Sequence, residues 1–264
     1  MSVFLSLIAI IGFASQLRFH KLTVDTSITF TVSTLIIILF IAGYFSVLDI
    51  ATNILMFTGF ILFLRYFLTI FNNKEKLLQS YDQFFFFIIL SLLFFILTRT
   101  DFYSLFNGSD NFSHWARATK IIMENNRFFI GSDPIFFPDY PPGTALYNYF
   151  FLLYSENNNN NLMFAQGTLS IALISPFFKL AEKRLNFWLR LLSYIFLIST
   201  IYFFYHGLHT LTADIVLSLL FAINISAYLV NRYNSSRFFD LPIHIQLEMH
   251  CLDTFLKMLE TFLL

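Results

Sequence analysis

Apolar residues run through this chain in long blocks separated by short polar connections. A helix that crosses a bilayer needs about 20 predominantly apolar residues. By that criterion the pattern predicts helices over Val3–Leu17, Ile28–Leu48, Thr52–Phe71, Phe84–Thr98, Leu162–Leu180, Phe187–Tyr205 and Ile215–Val230, which makes about seven spans. The first and fourth are short, and reach full length only with Gln16, Arg99 and Thr100 at the interface. The predicted fold class is therefore all-α: a polytopic transmembrane bundle. Its parts are N-terminal membrane helices (1–98), an external loop (99–161), a second group of membrane helices (162–231) and a cytoplasmic or interfacial tail (232–264).

Lys and Arg cluster in alternate connections: Arg18 and Lys21, Lys74 and Lys76, then Lys179, Lys183 and Arg184, then Arg232 and Arg237. All four can be cytoplasmic together only if the N-terminus, the 99–161 segment and the 207–214 loop lie outside. Gly143–Tyr154 is apolar but too short to span, so it is expected to be an interfacial or re-entrant helix within the external segment. Arg65 falls inside the third span, where the bland reading is that its side chain reaches head groups beyond the Lys74 end. Asn157–Asn161 reads as a solvated linker. The first helix lacks a preceding basic residue and a clear cleavage site, and is expected to be retained.

Composition agrees with the lipid setting. Of 264 residues, 57% are hydrophobic and 12% charged, and the mean hydropathy is +0.69, so polar residues are too few to cover a soluble domain of this size. Lys plus Arg equals Asp plus Glu at 16 each, which argues against a nucleic-acid partner, because phosphate backbones demand a concentrated positive field. Cys251 is the single cysteine and has no metal-type spacing around it. In the mixed segment from Arg232 to Leu264, the loosely amphipathic Gln246–Leu264 is expected either to lie on the membrane surface or to be the end of a truncated chain, the second reading being preferred.

Chemically loaded residues concentrate in the external loop. Winding Asp110–Glu124 as a helix places Phe112, Trp115, Ala116, Thr119, Ile122 and Met123 on one side. Asp110, His114, Arg117 and Glu124 fall on the other, with Ile121 interrupting them and Lys120 at the flank. Such a helix suits a membrane surface. Its polar face offers a carboxylate, an imidazole and two cations, the groups needed to deprotonate an acceptor hydroxyl and neutralise a phosphate leaving group. Capping and solvation explain the same pattern without catalysis. Farther along, Pro138-Asp-Tyr140-Pro-Pro-Gly143 reads as an extended entry into a helix, and Asp214 is a natural N-cap for the last span.

Asp110-Asn-Phe-Ser-His-Trp-Ala, followed by Lys120, Asn125-Asn-Arg127 and Phe137-Pro-Asp-Tyr-Pro-Pro-Gly143, resembles the first external loop of GT-C superfamily membrane glycosyltransferases, in particular the group of dolichyl-phosphate-mannose–protein mannosyltransferases and lipid A aminoarabinose transferases. The resemblance covers roughly 84–231. It implies a sugar donor carried on a polyprenyl phosphate, inverting transfer on the non-cytoplasmic face to a glycan, lipid or protein acceptor, and residence as a multi-pass protein in a bacterial plasma membrane. Asp110 is similar in position to the catalytic base and Asp214 to a second acidic position in a later external loop. Tyr140, in the proline turn, is expected among the substrate contacts. His114, Arg117 and Lys120 join them on the helical wheel alone. Asn111 stands where many of these enzymes have a second acid, so a divalent metal requirement stays open. The competing expectation is a non-enzymatic component of polysaccharide export or assembly; the scarcity of polar groups within the spans favours chemistry at the surface over transport.

Overall fold

The computed structural model describes residues 3–19, 24–71, 84, 87–96, 98–99, 115–135, 142–182, 191–192, 195 and 199. The chain divides into two units, Met1–Leu220 and Phe221–Leu264, and every described residue belongs to the first. The described residues contain seven helices and no strand. They are α1 (Val3–Phe19), α2 (Val24–Tyr44), α3 (Leu48–Phe71), α4 (Phe87–Ile96), α5 (Ala116–Asn125), α6 (Gly143–Leu152) and α7 (Asn159–Glu182). Two of them are long and apolar enough to cross a bilayer, through Ser27–Tyr44 and Leu48–Thr69. The expected span Ile215–Val230 lies outside the described residues, as does nearly all of Phe187–Tyr205.

The break between the second and third helices falls at 45–47, about one helical turn before the pattern predicts it. A backbone motif sets the position. Ser46 takes the left-handed conformation (φ 56°), its N–H donates to the Gly43 carbonyl (3.1 Å), and the Val47 N–H reaches back to the Ala42 carbonyl (2.9 Å). These are the two bonds of a Schellman cap, which satisfies the last carbonyls of α2 and reverses the chain at once. Hydropathy cannot register such a stop, because Tyr44, Phe45, Val47 and Leu48 are all apolar.

α1 crosses α3 at a point made of small residues. A Cβ on Gly12 would stand 2.0 Å from the Gly59 carbonyl oxygen, and one on Gly59 would stand 2.7 Å from the Ala9 Cβ. The two backbones are therefore in direct contact, the packing that membrane helices use when burial from water supplies no drive. α3 is peripheral: Ile50, Ile54, Phe57, Ile61, Leu64, Leu68 and Phe71 all remain exposed along it. Arg65 is also exposed, six residues or about 9 Å from the helix end.

α6 and α7 form the centre. Every residue from Asn161 to Ser175 is buried, and so is every residue of α6 after Gly143. Their mutual register is fixed by the Tyr147 hydroxyl with Thr168 Oγ1 (3.1 Å) and by the Phe151 and Phe164 rings, edge to face at 5.7 Å. The α2–α7 seam contains a polar repair. Pro176 has no N–H, so the Ala172 carbonyl four residues earlier loses its helical partner. The Thr29 hydroxyl donates to that carbonyl at 2.7 Å, and the Ser175 hydroxyl donates to it at 2.9 Å. A backbone oxygen freed inside the bundle is thus resatisfied by a neighbouring helix.

Asn157–Asn161, expected to be a solvated linker, instead builds the start of α7. Asn158 Oδ1 accepts from the Asn161 N–H (2.9 Å), a side-chain cap on the third helical amide. Asn161 is buried, and its amide donates to the Glu156 carbonyl (2.8 Å).

One end of the bundle collects several of the described connections. Ser6, in the first turns of α1, donates to the carbonyls of Phe151 (3.2 Å) and Phe150 (3.4 Å), two of the orphan acceptors at the end of α6. Gly43, at the end of α2, lies under the Phe128 ring. Tyr154 donates to Asn53 in the early turns of α3, and Arg99, past the end of α4, donates to Asn161 at the start of α7. Among the described residues, the start of α1, the end of α6 and the start of α7 therefore lie at one end of the bundle. α6 descends from there: its C-terminal carbonyls meet α1, whereas Gly143 lies against Ile36 (3.6 Å from a Cβ placed on it), eight residues or about 12 Å down α2.

Candidate functional site

The functional reading depends on α5, whose sequence carries the strongest two-faced pattern among the fully described helices. Ala118, Thr119, Ile121 and Ile122 are buried, while Arg117, Lys120 and Glu124 are exposed. Ile121 interrupts the polar face on a helical wheel; in the structure the buried stripe is rotated to include it. The stripe packs on protein. Trp115, Ala116 and Met123 lie against the cluster formed by Leu152 at the end of α6 and by Leu162 and Met163 of α7. α5 ends where Asn126 turns left-handed (φ 51°) and its N–H bonds the Ile122 carbonyl at 2.9 Å, a cap that asparagine tolerates better than other side chains.

Beyond that cap the chain is clamped. Arg127 forms a two-pronged pair with Asp133, Nη1 to Oδ2 at 2.8 Å and Nη2 to Oδ1 at 3.0 Å, and the Ile130 N–H donates to the same carboxylate at 2.7 Å. These hydrogen bonds, the guanidinium's first, hold the Asp133 carboxyl down at about 2 and raise the Arg127 guanidinium above its ordinary value. Between the two, the Phe128 ring stacks at a tilt on Phe40 of α2, centroids 5.2 Å apart.

Of the residues expected at the site, Arg117 and Lys120 are on the exposed face of α5, and Lys120 pairs with Glu124 one turn on at 3.8 Å. That pair is solvated and contributes only a few tenths of a kcal/mol. Asp110, His114, Tyr140 and Asp214 lie outside the described residues. Among the described residues no three His, Cys, Asp or Glu side chains converge as metal ligands.

The structure adds a polar group that the sequence reading missed. Asp49, at the start of α3, accepts from the Asn53 amide through both its backbone carbonyl (2.9 Å) and its carboxylate (3.0 Å). Asn53 in turn accepts from the Tyr154 hydroxyl. Tyr149, on α6, donates to Asn126 Oδ1 at 3.0 Å and lies within the electrostatic reach of Asp49. These bonds tie α3, α5 and α6 at the same end of the bundle. The Asp49–Asn53 spacing of four was a usable signal for a helix-start pair. Asp133-Pro134 was a turn signal for the clamp.

No protein-family model matches this chain, and no curated protein or solved structure matches it either.

Proposed function

We propose that this chain is a multi-pass membrane glycosyltransferase of the GT-C type, moving a sugar from a polyprenyl-phosphate carrier to a cell-envelope glycan, lipid or protein acceptor at the non-cytoplasmic face of a bacterial plasma membrane. The observation that carries the reading is the setting of α5. One face is locked onto α6 and α7, and the other presents Arg117 and Lys120 to solvent three and six residues after His114, which closes the Asp110–His114 motif. Burial of α6 on all sides, with its N-terminus beside the middle of α2, supports the re-entrant placement, since backbone at membrane depth is tolerated where protein covers it. The exposed apolar rows of α3 and α4 support about seven spans facing acyl chains.

In this proposal Asp110 takes the proton of the acceptor hydroxyl as its oxygen attacks the anomeric carbon. The bond from that carbon to the carrier phosphate breaks, and Arg117 and Lys120 neutralise the departing phosphate. Tyr140, His114 and Asp214 complete the substrate contacts and the second acidic position. The test supplies membranes containing the protein with radiolabelled polyprenyl-phosphate sugars and compares it with Asp110→Ala. Loss of a hundredfold or more in transfer is expected for a missing general base. Undiminished transfer in the variant removes Asp110 as the base, and absence of transfer by both proteins favours the non-enzymatic assembly component.

A further inference from the structure

We infer that Arg99 is the core of a binding position for the phosphate of a bilayer lipid, built at the junction of α4 and α7. The inference uses the membrane placement proposed above and is independent of sugar transfer.

Arg99 stands just past α4, on a last turn closed by the Thr98 N–H to the Phe94 carbonyl (2.9 Å) and the Arg99 N–H to the Ile96 carbonyl (3.0 Å). Its guanidinium is held in two ways. Nη2 donates to Asn161 Oδ1, and the guanidinium carbon sits 4.7 Å from the centre of the Phe95 ring, within cation–π range. Asn161 is itself fixed. It is only 6% exposed, and its amide and backbone N–H are engaged by Glu156 and Asn158.

Both partners orient the cation without neutralising it. Among the described residues no carboxylate pairs with this guanidinium; exposed and anchored by a neutral amide, it has most of its five N–H donors to offer a ligand. A planar, pre-oriented fork of donors matches the oxygens of a phosphate in a way a lysine ammonium does not. The same helix supplies a reason for the phosphate to be lipid-borne. Leu92, Leu93 and Ile96 are exposed immediately before Arg99, giving the acyl chains of a molecule whose head group meets the guanidinium an apolar surface to lie along.

The test titrates the purified full chain in detergent with dioleoylphosphatidylglycerol and follows retained lipid by native mass spectrometry, with dioleoylglycerol as the phosphate-free probe. Retention of the phospholipid and not of the diacylglycerol is expected. Arg99→Gln should weaken it by about tenfold or more, the scale of a charge-assisted contact, and Arg99→Lys should retain part of it. Asn161→Leu, which leaves the charge but removes its anchor, should weaken retention less than Arg99→Gln. Equal retention by wild type and Arg99→Gln overturns the proposal, as does equal retention of diacylglycerol, or full displacement by millimolar inorganic phosphate, which would make the ligand a free anion. A wild-type chain that stays in solution without detergent would instead overturn the membrane placement.

Discussion

Pro176 lies inside α7, and the carbonyl it strands at Ala172 is served from outside the helix by Thr29. A Thr29→Val substitution keeps the shape of the side chain and removes the donor. Ser175 still donates to Ala172 (2.9 Å), so the carbonyl loses one of its two hydroxyl donors, together with the 3.4 Å Thr29–Ser175 hydroxyl contact, and Thr29 and Ser175 are both buried where water cannot replace it. Hydrogen bonds between membrane helices average about 0.6 kcal/mol and reach about 1.7, and the buried carbonyl places this one in the upper half of that range. The expected loss is about 1 kcal/mol. The informative measurement is a double-mutant cycle with Pro176→Ala, read as unfolding free energies of the full chain in mixed micelles. Alanine restores an N–H at position 176, so the carbonyl regains its helical partner and Thr29→Val should then cost roughly half as much or less. The coupling should be at least about 0.5 kcal/mol, the lower bound for residues that share a partner. Strict additivity would refute the account, because it would mean that Thr29 stabilises α7 independently of the gap left by proline.

Three further outcomes follow from the same geometry. Gly12→Ala should destabilise by roughly 1–3 kcal/mol through overpacking despite alanine's better helix propensity, because its methyl would collide with the Gly59 backbone; Gly131→Ala, with nothing within 4 Å, is the control, and equal melting temperatures for the two would contradict the close crossing. The Asp133 carboxyl should titrate near 2 by carbon-detected NMR, and Arg127→Gln should move the midpoint toward the ordinary value of about 4. Because the folded value is depressed, the clamp's contribution is present in full above the unfolded value and is lost as pH falls from about 4 through 2, so Ile130 amide protection should fade over that window and not at neutral pH. Ser46→Gly should stabilise by up to about 1 kcal/mol, since glycine takes the left-handed position without the Cβ conflict; a loss of thermal stability would count against the Schellman cap.

The sequence by itself determined that the chain is helical and where most described helices lie, because a run of some 20 apolar residues can satisfy its backbone in lipid only by coiling. It also marked α5 as two-faced and Gly143 as a helix start, both of which rest on periodicity and backbone restriction within a few neighbouring residues. Tertiary structure decided what those faces touch. Ile121 looks like an interruption on a wheel and is buried in the folded chain; Asn161 looks like linker and is buried at the start of α7, where Arg99, 62 residues away, donates to it. Asp49, Asn53, Tyr149 and Tyr154 form one polar knot only once α3 and α6 meet at the same end of the bundle, and the Thr29–Ala172 bond exists only because α2 packs on α7. Local patterns encode the geometry of a single helix, whereas hydrogen bonds spanning a hundred residues depend on which helices become neighbours, and no short stretch of sequence records that.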